Sequence, residues 1–185
     1  MKVKDIIASA LNLLGRADLV PALTFILKAD KEGQELINTL LYCFNAVEDE
    51  LARHYIPLTA REEMSSSDTR FYYNTFGHNP VNIRRVTVDG EKAKFEIFAT
   101  YMTVNAKKIT VEYEYAPTGK VLDDSSDYGA DVGEYLFALG IAAEYYFING
   151  EAEFASQCEN KYRERLDKLQ RTLPACEKIP PRRWV

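Results

Sequence analysis

With 185 residues and 21.1 kDa, the chain is the size of one domain, or of one domain carrying an insertion, and too short for a second independent core. Hydrophobic residues at 46% and charged residues at 28% supply enough apolar surface for a real core, which excludes a disordered chain. The net charge of −5 hides an asymmetry, because from Glu159 onward eight Lys or Arg stand against four Asp or Glu and the rest carries −9; this argues against a general DNA-binding surface and fits head-to-tail self-association or a tail docked on an acidic partner.

Met1-Lys2-Val3-Lys4-Asp5 opens an amphipathic pattern, not a leader peptide, and no apolar run approaches the roughly 20 residues that span a bilayer. A product made in the cytosol, with no membrane role, is expected. Val3, Ile6, Ile7, Ala10, Leu11 and Leu14 recur at three-and-four spacing before Gly15, which predicts a helix over 2–16 with a glycine C-cap. Leu36, Ile37, Leu40, Leu41, Phe44, Val47, Leu51 and Tyr55 repeat the pattern until Pro57 and predict a long helix over 30–55.

From 57 to 117 the period changes to two. Ala93, Phe95 and Ile97 alternate with Lys94 and Glu96, and Ile109, Val111, Tyr113 and Tyr115 alternate with Thr110, Glu112 and Glu114, as strands with one buried face require. Val86 and Val88 lead into Asp89-Gly90, a pair suited to a type I′ hairpin. The segment 131–148 is apolar nearly all round, so it must be buried on most sides. Asn149-Gly150 breaks it, and a final helix over 151–173 carries the single stripe Phe154, Cys158, Tyr162, Leu166, Leu169 and Leu173. Residues 174–185 form an extended, Pro-rich tail. The fold expected is α+β, a single domain over 1–185 built as a four-helix bundle with an inserted antiparallel β-sheet and an extended C-terminal tail.

Catalytic signatures are missing. His54 and His78 stand at no ligand spacing from another His, Cys or carboxylate, and there is no phosphate loop, nucleophile elbow or His-Glu-x-x-His run. Cys43, Cys158 and Cys176 are an odd set without paired spacing, which points away from a disulfide framework or a zinc site and towards burial of the first two. Asp123, Ser125, Asp127 and Glu134 match oxygen positions of a calcium loop, but Tyr128 stands where its turn glycine belongs; a solvated acidic loop favouring the following helix N-terminus is the preferred reading. Arg84 and Arg85 beside Phe71-Tyr72-Tyr73 could form a stacking platform for single-stranded nucleic acid, yet Glu91, Glu96, Glu112 and Glu114 crowd the same region, so the tyrosines read as sheet and interface residues. No enzyme, no metal and no cofactor is expected. Pro180, Pro181, Arg182, Arg183 and Trp184 have the character of an interface anchor, since Trp and Arg dominate binding hot spots; the alternative is a frayed end.

The whole pattern resembles a known family, the head-to-tail adaptors (connectors) of tailed bacteriophages, including the tail tubular protein A group. The resemblance rests on Val3-Lys4-Asp5-Ile6-Ile7-Ala8-Ser9-Ala10-Leu11, on Glu50-Leu51-Ala52-Arg53 closing the second helix, on Ile109-Thr110-Val111-Glu112-Tyr113, and on Glu134-Tyr135-Leu136-Phe137 through Glu144-Tyr145-Tyr146 followed by Glu151-Ala152-Glu153-Phe154. It implies a structural virion protein of the neck, present in the host cytoplasm during assembly. Such proteins usually form a ring of twelve copies beneath the portal protein, receive a tail or nozzle protein on the opposite face, and let DNA pass without specific binding. The C-terminal residues Pro180 to Trp184 would then dock on the portal. The alternative carried from the sequence is a small monomeric protein-binding or regulatory module.

Overall fold

A computed structural model describes residues 1–24 and 30–172. Helix α1 (Val3–Leu13) sinks Val3, Ile6, Ile7, Ala10 and Leu11 completely. It stops where Gly15 turns left-handed (φ +71°) and the Arg16 N–H returns to the Leu11 carbonyl at 2.8 Å, the glycine termination that orphaned last-turn carbonyls favour. A 3-10 segment, Ala17–Leu23, follows. Helix α2 (Lys31–Glu50) starts at Asp30, whose Oδ1 accepts the Gly33 N–H at 2.8 Å. It ends in one π turn, Leu51–Tyr55, before the β-rich region.

Seven strands follow: β1 (Leu58–Ser65), β2 (Arg70–Tyr72), β3 (Pro80–Val88), β4 (Glu91–Lys92), β5 (Phe95–Ile97), β6 (Tyr101–Val104) and β7 (Lys108–Tyr115). They form two antiparallel sheets, one ordered β1-β7-β3-β4 and the other β2-β6-β5. The first and last strands pair along their whole length, from Leu58 opposite Tyr115 to Ser65 opposite Lys108. Asp89 and Gly90, both at positive φ (+50° and +87°), make the β3–β4 turn as a type I′ hairpin demands. Phe71 and Met102 from the smaller sheet meet Val86, Ile109, Val111 and Tyr113 from the larger in one core.

After residues 116–133 the chain enters α3 (Glu134–Ile148), and Asn149-Gly150 turns it back into α4 (Ala152–Thr172). Helices α1, α2 and α4 all pack on α3, whose residues Leu136–Ala143 are buried without a break. Gly140 sits at the closest approach, where an added Cβ would stand 2.9 Å from Val47 Cγ1 and 3.1 Å from the Tyr162 ring.

Two expectations are corrected. The fold is α+β, but it is not a four-helix bundle with one inserted sheet: among the described residues the 3-10 segment Ala17–Leu23 and the short turns Leu51–Tyr55 and Tyr73–Thr75 stand beside α1–α4, and there are two sheets instead of one. Period-two alternation tells which side of a strand is buried and says nothing about which sheet the strand joins. Helix α3 also starts at Glu134, not 131, because Gly133 at φ +83° immediately precedes it. The expected extended tail, residues 174–185, lies outside the described residues.

Gly140→Ala should lower Tm even though alanine is the better helix former by about 1 kcal/mol, because overpacking a tight core costs roughly 1–3 kcal/mol. Adding Val47→Ala should recover part of the loss in circular-dichroism melts.

Candidate functional site

The segment 116–133 joins the sheets to α3, and α2 holds it through polar side chains. Asn45 accepts the Lys120 N–H on Oδ1 at 2.7 Å and donates from Nδ2 to the Lys120 carbonyl at 3.1 Å. Three residues on, Glu48 is only 1% exposed. Its Oε1 accepts the Ser126 hydroxyl at 2.6 Å and the Asp127 N–H at 2.9 Å, while its Oε2 is buried without a hydrogen-bond partner. Burial is the main force pushing this carboxyl above the usual range; the Ser126 and Asp127 hydrogen bonds oppose it. Tyr128 donates its hydroxyl to the Ile56 carbonyl at 2.7 Å, and Lys120 Nζ pairs with Asp127 at 2.6 Å. The N-terminus closes the other side, with Val3 and Lys4 N–H groups reaching the Asp124 and Leu122 carbonyls.

Between the sheets a second polar cluster organises the 73–79 turn. The Glu62 carboxylate accepts the Tyr113 hydroxyl and the Gly77 N–H. An added Cβ at Gly77 would lie 2.7 Å from Glu62 Oε1. The His78 N–H donates to the Tyr113 hydroxyl at 3.3 Å, and the His78 ring stacks on Tyr115 at 4.1 Å. Burial raises the Tyr113 hydroxyl first of all, and the hydrogen bond to Glu62 adds to it. The Glu48 cluster fixes the 116–133 segment to α2, with Glu48 Oε2 left unpartnered, and the Glu62 cluster fixes the 73–79 turn to the larger sheet.

The sequence candidates land in different places. In the calcium-loop set, Asp127 is spent on Lys120, the Ser125 main chain bridges to Lys2, and Glu134 lies exposed in the first turn of α3. Among the described residues no three His, Cys, Asp or Glu side chains come together to hold a metal. The nucleic-acid platform comes apart: Phe71 is in the core, Tyr72 is on the outer face of the smaller sheet, and Arg84 sits on β3 against Glu114 at 2.6 Å. Burial pushes the Cys43 thiol up to about 11, whereas Cys158 is only half-buried. Cys176 and the anchor residues Pro180, Pro181, Arg182, Arg183 and Trp184 lie outside the described residues. Among those described, no helix is long and apolar enough to cross a membrane.

What stands out instead is exposed apolar surface. At the α3–α4 turn Phe147 is 73% exposed, with Ile148 and Phe154 each at 52%, and Tyr146 packs against Phe154 at 5.4 Å. On the outer face of the smaller sheet Tyr101 stacks on Phe98 at 4.8 Å and leans on Tyr72 at 5.6 Å, with Arg70 over its ring at 5.7 Å. Such clusters mark contact surfaces on a protein. The sequence reading, which had the segment 131–148 buried on most sides, did not single out the first; the acidic, charge-flanked end of that segment was the available signal. No protein-family model matches the chain, and no curated protein is significantly similar to it.

Because the Glu48 carboxyl is held above the ordinary glutamate value of 4.5, the folded state holds that proton more tightly than the unfolded chain. Its contribution to stability is complete below about pH 4.5 and is lost as pH rises through the folded value. Glu48→Gln should therefore raise Tm at pH 7–8, with the gain vanishing towards pH 4 in melts across that range. Glu48→Ala, which strands the Ser126 hydroxyl and the Asp127 N–H, should cost about 1–3 kcal/mol at every pH.

Proposed function

We propose that this chain is a structural virion protein, a ring-forming head-to-tail adaptor that joins the portal to the tail of a bacteriophage and lines the DNA channel. The observation that carries the reading is the exposed apolar surface on two separate elements, the α3–α4 turn with Phe147, Ile148 and Phe154 and the outer face of the smaller sheet with Tyr72, Phe98 and Tyr101. A subunit held between neighbours needs more than one such surface, and a free monomer is better served by none. A β-rich region set between the second and third long helices agrees with the resemblance in the sequence. So does the acidic balance of the chain, since a negative wall does not retain passing DNA.

The partners proposed are the portal, a tail or nozzle protein, and further copies of the chain in a ring of twelve. The role of Arg182, Arg183 and Trp184 in docking on the portal rests on the sequence alone. Deleting Arg182–Val185 should leave the circular-dichroism spectrum and Tm unchanged and abolish co-sedimentation with portal-bearing, DNA-filled heads. Negative-stain images of the intact protein on such heads should show a ring beneath the portal. Intact protein that neither co-sediments with heads nor forms rings at any concentration would overturn the proposal and favour the monomeric module.

A further inference from the structure

Negative charge is concentrated in one stretch of this chain. Between Val121 and Asn160 there are nine Asp or Glu and no Lys, Arg or His, whereas Lys161 to Thr172 holds five Lys or Arg against two acidic residues. Folding turns that sequence boundary into a spatial one along the α3–α4 hairpin. Its turn end carries Glu151 and Glu153, both exposed, beside the aromatic pair Tyr146 and Phe154. Its other end carries a groove of about 350 Å³ lined by Tyr135, Lys161, Glu164, Arg165 and Lys168, with the Arg165 guanidinium 4.3 Å above the Tyr135 ring.

These two ends lie on one face. Lys161, Arg165 and Lys168 follow Phe154 by seven, eleven and fourteen residues, each within about 40° of it around a 3.6-residue helix. Tyr146 follows Tyr135 by eleven on α3 in the same way. The face therefore reads acidic and aromatic at one end and basic and aromatic at the other, along the 21 residues of α4, or about 30 Å. The helix dipole accounts for acids at the start of α4 and bases at its end, but it leaves the exposure of Phe154 and the stacking of Arg165 on Tyr135 without a reason.

We infer that two copies of the chain pair antiparallel through this face, the acidic aromatic end of each hairpin seated in the basic groove of the other. A surface whose ends are opposite in sign is complementary to itself after a half-turn, so one twofold axis satisfies both contacts at once. Two helices of this length offer roughly 600 Å² per partner, at the small end of specific interfaces, where transient pairs are found. The pairing stands on the hairpin face alone and does not require the adaptor reading; it covers the apolar α3–α4 turn in free protein.

The test is sedimentation equilibrium of the full chain from 1 to 100 µM, at low and high salt. The expected result is a species of twice 21.1 kDa that dissociates at least tenfold more readily when salt is raised, since the contacts are charged. Lys161→Glu with Arg165→Glu, and separately Glu151→Lys with Glu153→Lys, should each weaken pairing at least tenfold, and an equimolar mixture of the two variants should restore it. All these positions are exposed, so circular dichroism should be unchanged. A strictly monomeric protein at 100 µM, or a dimer indifferent to both charge reversals, overturns the pairing. If sedimentation overturns the pairing, rings of the intact chain on portal-bearing heads would still leave the adaptor proposal standing.

Discussion

Helix α3 has no polar side over most of its length, and α1, α2 and α4 are placed by the need to cover it. Leu136 to Ala143 are buried in succession, which a helix achieves only when neighbours occupy all its flanks. Gly140 lets α2 and α4 close on it, since the space a methyl group would fill is already taken by Val47 and Tyr162. Small residues at 138, 140, 142 and 143 let the surrounding backbones approach, and larger ones at 136, 137, 139 and 141 fill the gaps between them, as dense interiors require. Where those neighbours end, the same apolar composition continues for one more turn, and Phe147 and Ile148 come out into solvent.

The polar chemistry of the described residues serves this arrangement. A segment without regular structure crosses from the sheets to α3, and its main-chain groups need partners. Asn45 and Glu48, one turn apart on α2, provide two sets of them, and the amino-terminal turn provides a third through the Asp124 and Leu122 carbonyls. Glu48 pays a desolvation penalty for that role. An apolar residue there would pack as well and would hold nothing, so the segment's position depends on a buried carboxyl that satisfies only one of its oxygens.

Much of the helical unit could be read from the residues. The stripes of α1 and α2 are narrow enough to fix their buried faces, and Asp30 and Gly15 mark their limits through physics that is local in the chain. The buried Glu48 was legible in principle, four residues beyond Phe44 and next to Val47 on the apolar side of α2. The division of the strands into two sheets was not legible, because β2 and β6 alternate as β1 and β7 do and only long-range pairing separates them. The exposed hairpin end was hidden for a related reason: composition says that a helix is apolar, while its neighbours decide where the cover stops. The charge boundary at Lys161 lies plainly in the sequence, but it acquires meaning only when α4 lies beside α3.

The pairing of β1 with β7 has a consequence for chain entropy. About 80 residues separate the end of α2 from the start of α3, and closing a flexible loop of that length would cost the helical core about 4 kcal/mol. Because the first and last strands of the insertion lie side by side, with Leu58 opposite Tyr115, the folded sheets return the chain to within one strand spacing of where it left. The helices then close a loop of only about 25 flexible residues, at about 3 kcal/mol. Sheets unzipped along that pair would weaken the helical core through its connectivity, without removing a single contact between helices.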